Sequence, residues 1–334
     1  MNIPKKPFRE SRRQKFADEA AYAASDRFDK ERWFPDLRKW STDQALPLEM
    51  RASYARQLAD TLLSNAVRAY TAGESIASMR DNLGAVVSAY VDAARIDREW
   101  EQQPLAPLFD FAYLDDYQIV LSLVSLPILL HREELLPDVH SLFKGGAPDG
   151  QDALVEELLG KFLPDRPFLG TGYHDDLCVP LLNATAEAPA DEKQADVESY
   201  LKAWYKGMRG TGWYDSHKKQ SSEGDAGYVG YWAFEAAAIA YLHDIDDAPF
   251  RDHLVYPKDL AGFARSMPRR TVGEATAGQA ATRCEGGQPC PRAGWWHTPA
   301  REGSRQRFEA GTIMPKYASD YGTTIWQWDS NQAD

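Results

Sequence analysis

Residues 79–94, MRDNLGAVVSAYVDAA, place Met79, Leu83, Val86 or Val87, Tyr90 and Ala94 at intervals of three to four. A helix turns once in 3.6 residues, so this spacing gathers the apolar side chains on one face, whereas a strand would need strict alternation. Upstream, Leu58, Leu62, Ala66 and Ala69 or Tyr70 repeat the pattern, and Gly73-Glu74 marks a turn. The two stretches predict an antiparallel helical pair. Helical character is expected from Asp43, with Ser41, Thr42 and Asp43 as candidate caps and Pro47 in a first turn.

Downstream, Pro104 and Pro107 break the chain before its most apolar run, Tyr117 to Leu130. That run is shorter than the roughly 18 residues a membrane helix needs and contains Pro127, so it reads as a buried core segment. Short helices are predicted over Asp152–Phe162 and about Asp196–Met208, with a further one from Tyr228 to His243. From about 268 the composition turns to Gly, Ala and Thr, and then to Trp295, Trp296, Trp326 and Trp328, with Thr323–Trp326 reading as a short strand. The expected fold is mainly α: a two-part helical bundle body, 8–165 and 170–267, followed by a small irregular strand-containing module, 268–334.

The formal net charge is −12, and it is concentrated. Residues 101–200 hold 19 acidic and 5 basic side chains, net −14, while the flanking stretches nearly balance. Such a field repels nucleic acid and favours a basic protein partner. Three cysteines without regular spacing, and no apolar run of signal-peptide length after the basic N-terminus, predict a cytoplasmic protein.

No catalytic constellation emerges. His243-Asp244 and Tyr173-His174-Asp175-Asp176 lack the further ligands a metal needs, and read as a helix C-terminus and an Asp-rich helix start. Cys284 and Cys290 have no zinc-type partner pair, and Gly207, Gly210 and Gly212 follow a helix rather than a strand. The expectation is a non-enzymatic protein with no cofactor and no metal.

Two blocks carry a resemblance. The first is Trp204-Tyr205-Lys206-Gly207-Met208-Arg209-Gly210 with Trp213-Tyr214-Asp215-Ser216-His217. The second is Gly230-Tyr231-Trp232-Ala233-Phe234-Glu235-Ala236-Ala237-Ala238, with Asp246-Asp247 and Tyr256-Pro257-Lys258-Asp259-Leu260. Together they resemble the C-terminal domain of the PoNe-type immunity proteins, inhibitors of polymorphic nuclease effectors. The helical region from about 8 to 160 is similar to that family's N-terminal domain. The tail from Cys290 to Trp328 resembles Trp-rich segments of other polymorphic-toxin immunity proteins.

The resemblance implies an immunity protein that neutralises a cognate toxin by binding. Its target would be a DNase effector of a type VI or contact-dependent system, blocked at its active site or DNA groove. Trp204, Trp213, Asp215, Tyr231, Trp232 and Glu235 are then expected to hold the scaffold, the two carboxylates within a hydrogen-bond network among the aromatics. Partner contacts are expected on the acidic surface at Asp149, Asp152, Glu156, Glu157, Asp175, Asp176, Glu187, Asp191 and Glu192. The rivals are a helical metal-dependent hydrolase using His243, Asp244 and His174, and an acidic scaffold or DNA-mimic protein for another basic partner.

Overall fold

The computed structural model describes residues 7–220, 227–268, 283–291, 293–298, 301, 303–317 and 324–328. Among the described residues it is mainly α-helical with one small sheet, and the chain forms two compact units, Met1–Pro268 and Arg269–Asp334.

In the first unit, a short α1 (Phe8–Ser11) leads to α2 (Glu19–Phe28), which runs through a π turn, Asp29–Trp33, into α3 (Phe34–Thr42). The predicted pair follows as α4 (Leu48–Thr71) and α5 (Ile76–Glu101). Asp43 stands four residues short of α4 and instead accepts from Ala45 N–H, while Pro47 occupies the N-cap. Ser75 caps α5 by accepting from Ser78 N–H. Gly73 turns between the two helices at φ +96°, and a Cβ there would lie 2.1 Å from the Ser11 carbonyl oxygen. Gly73→Ala is therefore expected to cost about 2 kcal/mol or more in urea unfolding; an unchanged midpoint would contradict this close approach.

Next, α6 (Leu114–Leu129) carries the apolar run and is buried along nearly its whole length. Around it lie α7 (Leu136–Ser141), α8 (Ala153–Gly160), α9 (Asp175–Asn183), α10 (Ala190–Gly207), α11 (Phe234–Leu242) and α12 (Lys258–Ser266). α11 packs along α6. Its fully buried Ala236, Ala237, Ala238 and Ala240 permit the two backbones to approach closely. One hydrophobic core runs from Ala17, just before α2, through Ala264 in α12, so the stretches 8–165 and 170–267 contribute to it jointly. Among the described residues no helix is long and apolar enough to cross a membrane.

Helical spacing misleads at 228–233, where the backbone is irregular and α11 starts only at Phe234. The cause is tertiary. Gln14 donates its amide to the Tyr231 carbonyl and accepts from Tyr231 N–H, and the Thr71 hydroxyl donates to the Val229 carbonyl. Remote side chains thus supply the partners a helix would have provided.

The second unit is a four-stranded antiparallel sheet of β1 (Arg283–Glu285), β2 (Gly294–His297), β3 (Gln306–Phe308) and β4 (Ile325–Trp328), ordered β1-β4-β2-β3. Trp296 and Trp326 are fully buried with Phe308, Met314, Cys284 and Cys290. The strand expected at Thr323–Trp326 is found two residues later, and Thr323 lies outside the described residues.

Candidate partner-binding surface

The motif residues form an aromatic and carboxylate network, buried at Trp204, Tyr231, Trp232 and Glu235 and half-buried at Trp213 and Asp215. α10 turns Val197, Tyr200, Leu201 and Trp204 inward at the spacing of a helical face. Trp204 stacks on Trp213 at 5.7 Å between ring centroids, and Tyr231 meets Tyr205 at 4.9 Å. Glu235, in the first turn of α11, is 1% exposed and accepts from Tyr200 Oη at 2.7 Å and Trp204 Nε1 at 2.8 Å. Burial pushes its carboxyl up to about 7, against the opposing pull of those two donors. Asp215 sits in the left-handed region at φ 60° and accepts from Tyr205 Oη at 2.6 Å and Lys218 Nζ at 2.8 Å. Trp232 donates its indole N–H to Thr71 Oγ1 at 2.8 Å.

The nine acidic residues separate into two groups. Asp152 and Glu156 are 1% and 2% exposed, so the expectation that a partner touches them is corrected. Asp152 caps α8, accepting from Val155 N–H at 2.9 Å, and also takes Tyr173 N–H at 3.0 Å and Tyr117 Oη at 3.1 Å. Glu156 accepts from Arg166 Nε at 2.6 Å, and Asp149 from Arg166 Nη2 at 2.7 Å. Burial would raise the Asp149 carboxyl, yet Gly145 N–H, His140 and Arg166 together hold it down to about 2. Glu157 pairs with His243 at 3.0 Å and Lys161 at 2.9 Å, which lower its carboxyl against the effect of burial. These four carboxylates are engaged in internal architecture, a fate that net charge alone cannot reveal.

Asp175 is half-buried and accepts from Gly172 N–H at 2.8 Å. Asp176 in α9, Glu187 in the loop after it, and Asp191 and Glu192 at the start of α10 are exposed. Two grooves flank this region. One, of about 580 Å³, is lined by Tyr173, His174, Asp175, Asp176 and Lys206. The other, of about 540 Å³, is lined by Glu157, Lys161, Arg166, Phe168, Leu182 and His243. Phe168 is 92% exposed between the chain breaks at Pro167 and Gly170. Nothing in the sequence around it, flanked by Pro164, Pro167 and Gly170, marks a lone phenylalanine as exposed.

His174 lines the first groove, with Nε2 2.8 Å from the Phe111 carbonyl oxygen, whereas His243 lines the second. Among the described residues no three His, Cys, Asp or Glu side chains converge as a metal site.

Residues 150–260 match the family described as PoNe immunity proteins (PoNi), C-terminal. That PoNi match runs from just before α8 to the first turn of α12 and includes both aromatic blocks, the carboxylate network and most of the walls of the two grooves. It stops short of the Trp-rich tail. The chain is also similar to the crystal structure of protein PA2201 from Pseudomonas aeruginosa. The TM-score is 0.58 at 21% identity, covering 77% of this chain and 91% of that one, a likeness of fold. No curated protein matches the chain.

Proposed function

We propose that this protein is an immunity protein that binds a nuclease effector and neutralises it without chemistry. The effector is a DNase of a type VI or contact-dependent system, and the inhibitor covers its active site or DNA groove in the cytoplasm. The observation that carries this reading is the PoNi C-terminal match over residues that also hold the two grooves, the exposed carboxylates and Phe168. A nuclease groove must attract phosphate and is therefore cationic. Exposed Asp176, Glu187, Asp191 and Glu192 would steer it into encounter, and Phe168 would anchor the complex once formed.

The test takes the product of the neighbouring open reading frame, if it cleaves DNA, and mixes it with this protein in a DNA-cleavage assay. Inhibition is expected to be stoichiometric, since no turnover is involved; full protection at strongly substoichiometric dose would refute the binding mechanism. Raising NaCl to about 0.5 M should slow association about tenfold or more. Phe168→Ala should weaken binding by about thirtyfold while leaving the melting temperature unchanged, because the ring touches little within the chain. Undiminished affinity in that variant would move the interface elsewhere.

A further inference from the structure

A cavity of about 410 Å³ lies between the α1–α2 connection, the end of α4 and the segment joining α11 to α12. Five cations line it, Arg12, Arg13, Lys15, Arg251 and Lys258, against three carboxylates, Glu10, Asp252 and Asp259. That leaves a net +2 on one cavity of a chain whose formal charge is −12. We propose that this cavity binds a phosphate group carrying two negative charges, either free phosphate or a phosphate monoester.

Pairing within the cavity decides which cations are available. Arg13 pairs with Asp259 at 2.8 Å and Lys258 with Asp252 at 2.6 Å, so these four groups cancel. The other three cations have no carboxylate of their own among the described residues. Arg12 donates to the Ala17 carbonyl at 2.6 Å, and the Lys15 ammonium lies 5.1 Å from the centre of the Phe16 ring. Arg251 shares Asp247 Oδ2 with Arg265, at 2.8 and 2.6 Å. Exposed Glu10 is the one lining carboxylate left over. His253 also lines the cavity, but burial holds its pKa below the ordinary 6.5, so it adds little charge near pH 7.5.

The cations are positioned before any ligand arrives. Gln14 donates to the Leu254 carbonyl at 3.0 Å, and Arg13 N–H donates to the Thr71 carbonyl at 2.8 Å. These bonds fix the 12–15 segment against the chain at 254 and the end of α4. Arginine forks and an ammonium group suit a phosphate, which offers several acceptor oxygens. A dianion also matches the excess of two charges, as a single carboxylate would not. The volume falls within the roughly 300–1,000 Å³ of small-molecule sites, and Leu254, 40% exposed, offers an apolar wall to an organic group. None of these residues lines the two grooves assigned to the toxin, so either reading can fail alone.

The test is isothermal titration calorimetry of the full chain at low salt and about pH 7.5. The probes are inorganic phosphate, uridine 5′-monophosphate, uridine, and uridine 3′,5′-cyclic monophosphate, a diester with a single charge. Saturable binding is expected from phosphate and from the monoester, weaker by about tenfold or more for the cyclic diester, and absent for uridine. The first two separate the sources: tighter binding of the monoester points to an organic phosphate, and phosphate bound as tightly or more so points to the free ion. Lys15→Gln should weaken binding about three- to fivefold, and Glu10→Gln should strengthen it by a similar factor. Lys39→Gln, on α3 and outside the cavity lining, makes the same change in net charge as Lys15→Gln and should leave binding unaltered. No saturable binding of phosphate or the monoester, a cyclic diester bound as tightly as the monoester, or equal losses in Lys15→Gln and Lys39→Gln would overturn the assignment.

Discussion

Arg166→Ala is expected to lower the unfolding free energy by about 3–5 kcal/mol, the loss typical of a buried ion pair deprived of one partner. Arg166 gathers three groups that arrive from separate segments. Its Nε donates to Glu156 in α8, its Nη2 to Asp149 in the preceding turn, and its Nη1 lies 2.8 Å from His140 Nε2 in α7. The guanidinium side chain is 9% exposed and the Glu156 side chain 2%, so water replaces little of what the substitution removes. Without Arg166, Glu156 retains the Gly150 N–H at 3.2 Å as a donor and must either keep a poorly compensated charge or take up a proton. Urea unfolding at pH 7 measures the effect. The companion Arg166→Met with Glu156→Leu should recover most of the loss, since two apolar groups leave no orphaned charge. A single substitution costing less than about 1 kcal/mol would mean that the node is dispensable.

That node marks the border of what the sequence could disclose. The helices α4 and α5 are legible because leucine, valine and tyrosine recur at helical spacing, and the core role of 117–130 follows from a run too short for a membrane. Residues 19–42 gave no comparable signal. Their inward positions include Ala21, Ser25 and Asp29, small or polar side chains that hydrophobic periodicity ignores, and Asp29 is held inside by Arg68 at 2.7 Å. The irregular segment at 228–233 could not be foreseen, since its backbone partners Gln14 and Thr71 lie more than 150 residues away. Likewise, counting charges found the acidic segment but not its division: Asp152 caps a helix and Glu156 neutralises an arginine, while Asp176, Glu187, Asp191 and Glu192 face solvent. Pairing across distant segments decides which carboxylates remain for a partner.

Glu235 should make stability fall as pH rises from about 4.5 to 7. Burial lifts its folded-state carboxyl to about 7 from an ordinary 4.5, so the folded protein holds the proton more tightly than the unfolded chain does. The stabilisation from that proton is fully present below 4.5 and is lost on approaching and passing 7. At 1.36 kcal/mol per unit, the difference comes to about 3 kcal/mol. Glu235→Gln keeps an oxygen to accept from Tyr200 and Trp204 but carries no charge at any pH. It is expected to match the unaltered protein near pH 4.5 and to exceed it by up to about 3 kcal/mol at pH 8. Taking the difference between the two proteins at each pH cancels groups that titrate alike in both, including His217 and His253, whose burial lowers their pKa. A difference that stays constant across the range would show that Glu235 does not change protonation there. A rising one would show that Tyr200 and Trp204 hold a carboxyl whose ionisation costs stability at neutral pH, in the middle of the motif that joins α10 to α11.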